Sequence, residues 1–395
     1  MSTVPKIVLK GNLVLPDAVI PRGTVLIEGQ KIKGIYTPHD RFQDAEAQSI
    51  DYGEAYIAPG FVDLHLHGAV GKDVMDGRQE NMRAIVEYEA RNGVMAFLAS
   101  TMSASLEAIL QTIKVVRKVA EDPLPSSILG IHVEGPFVNE QKKGAHSASY
   151  IKGVTEKDSR KLIDALREWR AIFSIAPEVG KNMRWIAELK AAGFVVAIGH
   201  SNATYDQALE SFGQGITHAT HLYNAMSGFG HREPGVVGAV LDSEDVTAEL
   251  IADGVHVHPA ALRLAVAKKG TDRICLVTDS MLATGMGDGV YKWDGKEIIV
   301  RGDKATIRES GILAGSVLTL RKAFKNMIDW TSVTLSEAIN MASLNPARVL
   351  GMEKEIGSIQ SGKLADLVVL DRDFRIVEAI SKGKPILRRG ERDDP

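Results

Sequence analysis

The chain has 395 residues, 45% hydrophobic and 25% charged, with a formal net charge of −3. That composition excludes a disordered chain, and the charge offers nucleic acid or an anionic membrane no general attraction. The single cysteine, Cys275, rules out an internal disulfide. Lys6, Lys10 and Asp17 interrupt every early apolar run, so there is no signal-peptide pattern, and no stretch reaches the roughly 18 apolar residues of a membrane span. The expectation is a cytoplasmic protein.

Residues 1 to 58 read as β. Thr24–Ile27 and Lys31–Tyr36 flank Glu28-Gly29-Gln30, a hairpin with glycine in its turn. The middle of the chain alternates apolar runs with amphipathic stretches. Eight runs stand out: Phe61–His67, Val94–Ser100, Ile128–Glu134, Ala171–Ala176, Phe194–His200, Ile216–His221, Thr247–Asp253 and Ile274–Asp279. Between or after them lie helical patterns at Glu80–Asn92, Leu106–Glu121, Glu156–Trp169, Asn182–Ala192, Tyr205–Phe212 and Leu318–Met327. Near-continuous apolar strands separated by helices indicate a parallel sheet buried on both faces. Eight such units over about 270 residues indicate a (β/α)8 TIM barrel. An open doubly wound sheet is the alternative, but no G-x-G-x-x-G follows the first run. Tyr291–Ile312, with turns at Asp294-Gly295 and Gly302-Asp303, reads as a β insertion near the barrel mouth. From Ala365 the chain is again β-like, at Leu367–Leu370, Arg375–Val377 and Pro385–Leu387. The two chain ends are expected to pair into one small domain.

Five runs finish on a candidate metal ligand or acid/base group: His65 and His67, Glu134, His200, His221 and Asp279. In a TIM barrel the C-terminal strand ends share one face, so these residues converge. Each has an ordinary reading by itself. His200 or Asp279 could cap the following segment, and His221 could be a core histidine. Strand formation does not favour His, Glu or Asp at strand ends, so their shared placement carries the signal. Imidazole and carboxylate without thiolate suit Zn²⁺ or Fe²⁺, with Mn²⁺ or Co²⁺ as alternatives. His65 and His67, at i and i+2, point to one side of their strand. The fourth run lacks a lysine that could be carbamylated to bridge two metals, which leaves that task to Glu134. His39, His231 and His258 are expected to be structural or exposed.

Ala58–Gly68, reading A-P-G-F-V-D-L-H-L-H-G, resembles the first-strand signature of the amidohydrolase superfamily. Asn345–Arg348 and Gly362–Val368 resemble its shared C-terminal motifs. His132–Phe137, His221–Met226, Arg232–Gly235, Ala252–His256 and Val277–Ser280 are similar to the N-acetylglucosamine-6-phosphate deacetylase family within it. The resemblance covers essentially the whole chain. It implies a small β-sandwich domain from residues 1–58 and 357–395, a catalytic barrel from 59–356, and a homodimer in amino-sugar catabolism. It implies metal ligation by Glu134, His200 and His221, with His65 and His67 favouring two metals per chain over one. Asp279 matches the general acid/base and would also face the metal. Ala145, His146, Asn224, Ala225, Arg232, Asp253, Gly254, Val255 and His256 match substrate contacts, and Leu313, Ala314 and Gly315 a backbone segment that closes on the substrate. The activity implied is removal of the acetyl group from N-acetylglucosamine 6-phosphate. The alternatives are the galactosamine isomer or another acylamino sugar phosphate, and a catalytically silent barrel used as a binding module.

Overall fold

The computed structural model describes residues 5–387 apart from 41, 43 and 45. Residues 1–4 and 388–395, which complete the expected chain-end domain, lie outside the described residues.

Eight parallel strands form the barrel wall: Phe61–Leu66, Val94–Ser100, Ser127–Glu134, Arg170–Ile175, Val195–Ile198, His218–Ala219, Thr247–Leu250 and Ile274–Leu276. They neighbour one another in chain order from first to eighth. Closure comes from beyond the named strands. Leu66 bridges Ser280 in parallel, the Asp279 N–H donates to the His65 carbonyl at 2.9 Å, and the His67 N–H donates to the Ser280 carbonyl at 2.8 Å. The open doubly wound alternative is thereby excluded. The ring is completed by the backbone of the residues that carry the expected chemistry.

The helices pack outside as their patterns require. In Leu106–Ala120, Ile109, Thr112, Ile113, Val116 and Val119 form the buried stripe. Ser105 caps it by accepting the Ala108 N–H, a contact typically worth about 1 kcal/mol. Cys275 is buried in the eighth strand, and burial pushes its thiol well above the usual range. No described helix is long and apolar enough to cross a membrane.

A separate seven-stranded sheet joins the chain ends. Leu367–Leu370 pairs antiparallel with Gln48–Pro59, which pairs parallel with Lys6–Val14. Gly29 makes the expected hairpin turn at φ 61°. Leu9, Val25, Ile57, Leu367 and Ile380 belong to an apolar cluster distinct from the barrel's. Between the eighth strand and the last helices, Gly289–Trp293, Lys296–Arg301 and Lys304–Ile307 form a three-stranded antiparallel sheet. Its inner face, with Trp293, Ile298 and Val300, packs with Met102 and Met281 of the barrel.

Candidate active site

Four of the five expected strand ends that bear candidate ligands lie outside the ladder, His67 by a single residue past Leu66 and three by more. The fifth, sixth and eighth strands stop at Ile198, Ala219 and Leu276, short of His200, His221 and Asp279. These three residues adopt the left-handed region, with φ of 48°, 31° and 49°. Each such conformation costs a non-glycine residue about 1–3 kcal/mol and leaves the alternation of a strand. Backbone bonds hold it in place. Asn139 N–H donates to the His200 carbonyl at 2.8 Å, and Ser316 N–H to that of Asp279 at 2.7 Å. The His221 N–H donates to Glu249 Oε2 at 3.0 Å.

These turns gather the six expected side chains at the barrel mouth. Glu134 stands between two groups. Its Oε1 lies 3.0 Å from Nε2 of both His200 and His221, whose Nε2 atoms are themselves 3.0 Å apart. Its Oε2 lies 3.1 Å from His67 Nε2 and 3.5 Å from His65 Nε2. Asp279 Oδ1 completes that second group, 3.3 Å from His67 Nε2 and 3.6 Å from His65 Nε2. Tetrahedral ligands about 2.0–2.2 Å from a metal stand about 3.3–3.6 Å from one another. The group around Asp279 spans 3.1–3.6 Å, near that spacing, the group of His200 and His221 is tighter at 3.0 Å, and the two meet at one carboxylate. Ring nitrogens facing each other at 3.0–3.1 Å also make a poor hydrogen-bonding pair, since one proton cannot serve every lone pair aimed at the same point.

The electrostatics favour a cation. Burial works to raise the Glu134 carboxyl, but the charge of His65 and hydrogen bonds from His146, His200 and His221 hold it well below the carboxylate range. Burial likewise opposes ionisation of Asp279, and His65 and His67 reverse it. Burial would lower His67, yet hydrogen bonds to Asp279 and Glu134 raise it to about 9. The field that favours a proton there also favours a divalent ion.

Around these groups lies a cleft of ≈ 260 Å³ lined by, among others, Lys142, Ala145, His146, Asn224, Ala225, His256, Leu313 and Gly315. His146 accepts the Ser103 N–H at Nδ1, at 3.0 Å, which turns its Nε2 toward Glu134. Asp253 does not line the cleft. Its Oδ1 accepts the N–H groups of Val255 and His256, and its Oδ2 lies 2.6 Å from His256 Nδ1. Asp253, Gly254 and Val255 thus shape the loop that presents His256. Ala314 is buried between two residues that line the cleft. Arg232 is exposed on the loop after the sixth strand and is not among the cleft-lining residues. His39, His231 and His258 are exposed, and His258 caps the helix Pro259–Lys269.

The sequence reading missed several residues here. Met102, Gln141, Trp293 and Ile312 line the cleft. Trp293 comes from the inserted sheet and donates through Nε1 to Asp73 at 2.5 Å, while Lys296 of the same sheet donates to the Ala145 carbonyl at 2.6 Å. Glu249, His132 and His218 are fully buried, and Glu249 Oε2 lies 3.0 Å from His65 Nδ1. His132 Nε2 lies 2.8 Å from Ser174 Oγ. Glu249 had a signal: a glutamate inside the apolar run Thr-Ala-Glu-Leu-Ile, where a charge is seldom fully buried unless it is paired.

Residues 56–386 match the amidohydrolase family. The chain is 35% identical over 380 residues to the N-acetylglucosamine-6-phosphate deacetylase of Bacillus subtilis (strain 168), covering 94% of each. It is 37% identical over 329 residues to the N-acetylgalactosamine-6-phosphate deacetylase of Escherichia coli O157:H7, covering 83% of this chain and 87% of the other. The solved structure of N-acetyl-D-glucosamine-6-phosphate deacetylase from Mycobacterium smegmatis superposes with a TM-score of 0.91 at 31% identity, over 96% of this chain and 100% of that one.

Proposed function

The chain belongs to the amidohydrolase family, and on that basis we propose that it hydrolyses N-acetyl-D-glucosamine 6-phosphate to D-glucosamine 6-phosphate and acetate. The observation that carries this reading is the pair of imidazole groups meeting at Glu134 beside Asp279, at the floor of a cleft. Relatives named for that reaction match along nearly the whole chain.

His200, His221 and Glu134 would hold one divalent metal, and His65, His67, Glu134 and Asp279 a second, with Zn²⁺ or Fe²⁺ suited to these ligands. A metal there supplies Lewis-acid polarisation of the amide carbonyl and of the attacking water. The Asp279 carboxylate takes a proton from the attacking water and passes it to the leaving amine nitrogen, so the amine departs neutral. His146 and His256 face the cleft and orient the sugar, and the Asp253 carboxylate fixes the His256 ring. Leu313 and Gly315 offer backbone groups at the cleft wall. Arg232 reads the 6-phosphate from a partner subunit, since it stands outside the cleft of its own chain. Residues 1–58 and 357–395 serve as the supporting β domain.

The galactosamine isomer is the second reading, because a relative named for it matches as strongly. The two sugars differ only at C4. Acetate release measured side by side on the two 6-phosphates, and on unphosphorylated N-acetylglucosamine, tests the proposal. Faster release from the glucosamine compound is expected. Faster release from the galactosamine compound replaces the first reading with the second, and no release from any of the three overturns both.

A further inference from the structure

The four imidazoles that face the candidate metal positions are not held alike. His200 has its Nδ1 2.7 Å from the Lys142 carbonyl. A carbonyl only accepts, so Nδ1 carries a proton, which leaves Nε2, on the Glu134 side, as the ring atom available to a metal. His65 has its Nδ1 3.0 Å from Glu249 Oε2, with the same consequence. His67 Nδ1 and His221 Nδ1 are buried without a hydrogen-bond partner. Each metal group therefore contains one ring fixed from behind and one that is not.

Glu249 does more than fix His65. It lies on the seventh strand with no exposure. The oxygen that accepts from His65 also accepts the His221 N–H at 3.0 Å. The other oxygen lies 3.2 Å from His218 Nε2, and His218 Nδ1 lies 2.6 Å from Thr247 Oγ1. One carboxylate thus ties a candidate ligand ring on the first strand to the left-handed backbone of His221, just past the sixth.

We infer that Glu249 is a positioning residue for the His65/His67 metal site: its carboxylate sets the His65 tautomer and strengthens that imidazole as a ligand. This rests on the metal-dependent reading above. Partners behind a ligating histidine commonly govern metal affinity by about 10–100-fold. A charged acceptor does so more strongly than a neutral one.

The test reads zinc binding to metal-stripped full-length protein by chelator competition and elemental analysis, with no substrate present. Glu249→Gln keeps an acceptor oxygen and removes the charge, and Glu249→Ala removes both. One of the two zincs is expected to lose more than about threefold in affinity with Gln and about 10–100-fold with Ala, while the other changes less than about threefold. In protein already carrying His67→Ala, adding Glu249→Gln is expected to leave the remaining zinc within about threefold, because the site it serves is gone. If Glu249→Gln binds every zinc within threefold of wild type, the inference fails, whether or not the Ala variant folds. Equal loss of both metals, or further loss in the His67→Ala background, also overturns it by marking Glu249 as a general support of the barrel. A wild-type protein that takes up no zinc, iron, manganese or cobalt overturns the proposed function instead.

Discussion

Asp279 shows how much chemistry can rest on one side chain. It sits 3.3 Å from His67 and 3.6 Å from His65, and the positive charge of those rings holds its carboxyl low against the pull of burial. A general acid–base group typically contributes about 10²–10⁴-fold. Asp279→Asn keeps the shape and removes the basicity, so kcat is expected to fall at least about a hundredfold with little change in KM. Steady-state kinetics within threefold of wild type would assign the proton to another group. The neighbouring candidate ligands lead to a second expectation. Chelation should abolish turnover, and a divalent metal should restore it. Elemental analysis of active protein should approach two metals per chain, whereas a steady value of one would leave only the Glu134, His200 and His221 group occupied. The candidate ligand types were legible because His, Glu and Asp have no structural reason to end five apolar runs. Glu249 showed only as a charge inside an apolar run, with no role attached, because a residue behind a candidate ligand follows no spacing rule.

At the scale of elements, the strands and helices follow their apolar patterns, and the differences concentrate at the barrel mouth. The run Ile274–Asp279 continues in sequence past Leu276, but the ladder does not. A left-handed turn is invisible to hydrophobic periodicity, which records only which face is buried. Loop-to-loop ties are equally silent in the sequence. Glu178, just past the fourth strand, accepts from Asn139 Nδ2 at 2.8 Å, Ser201 Oγ at 2.8 Å and Asn202 N–H at 2.7 Å. It joins the loops after the third and fifth strands beside His200. Glu178→Ala should lower stability by about 1–3 kcal/mol, the usual range for losing such bonds. It should also weaken the metal held by His200. Urea unfolding and chelator competition on the same protein check both effects. An unchanged metal affinity would confine Glu178 to a structural role.

The whole molecule raises the question that one chain leaves open. Arg232 lies on the mouth side of the barrel but outside the cleft. If it reads phosphate, the site it serves belongs to a second copy. Arg232→Ala should then reduce kcat/KM for the phosphorylated sugar at least about tenfold, the kinetic equivalent of a lost charge-assisted contact. It should barely alter the rate on the unphosphorylated sugar. Mixing Arg232→Ala chains with Asp279→Asn chains supplies the geometric check. In a symmetric dimer with the arginine acting across the interface, random mixing should restore about a quarter of wild-type activity, because half the dimers are hybrids with one complete site. No restoration would place Arg232 in its own chain's site.

The amino-acid sequence by itself determined the eight-strand alternation, the β character of both chain ends, the inserted sheet and the identities of the six groups at the mouth. These follow from period, turn residues and ligand chemistry, all of which act within a few residues of one another along the chain. Only the tertiary structure decided that His200, His221 and Asp279 leave their strands in left-handed turns, that Trp293 reaches the cleft from the insertion, and that Glu249 backs His65. Those features depend on residues between roughly 30 and more than 200 positions apart, and barrel closure brings them into contact.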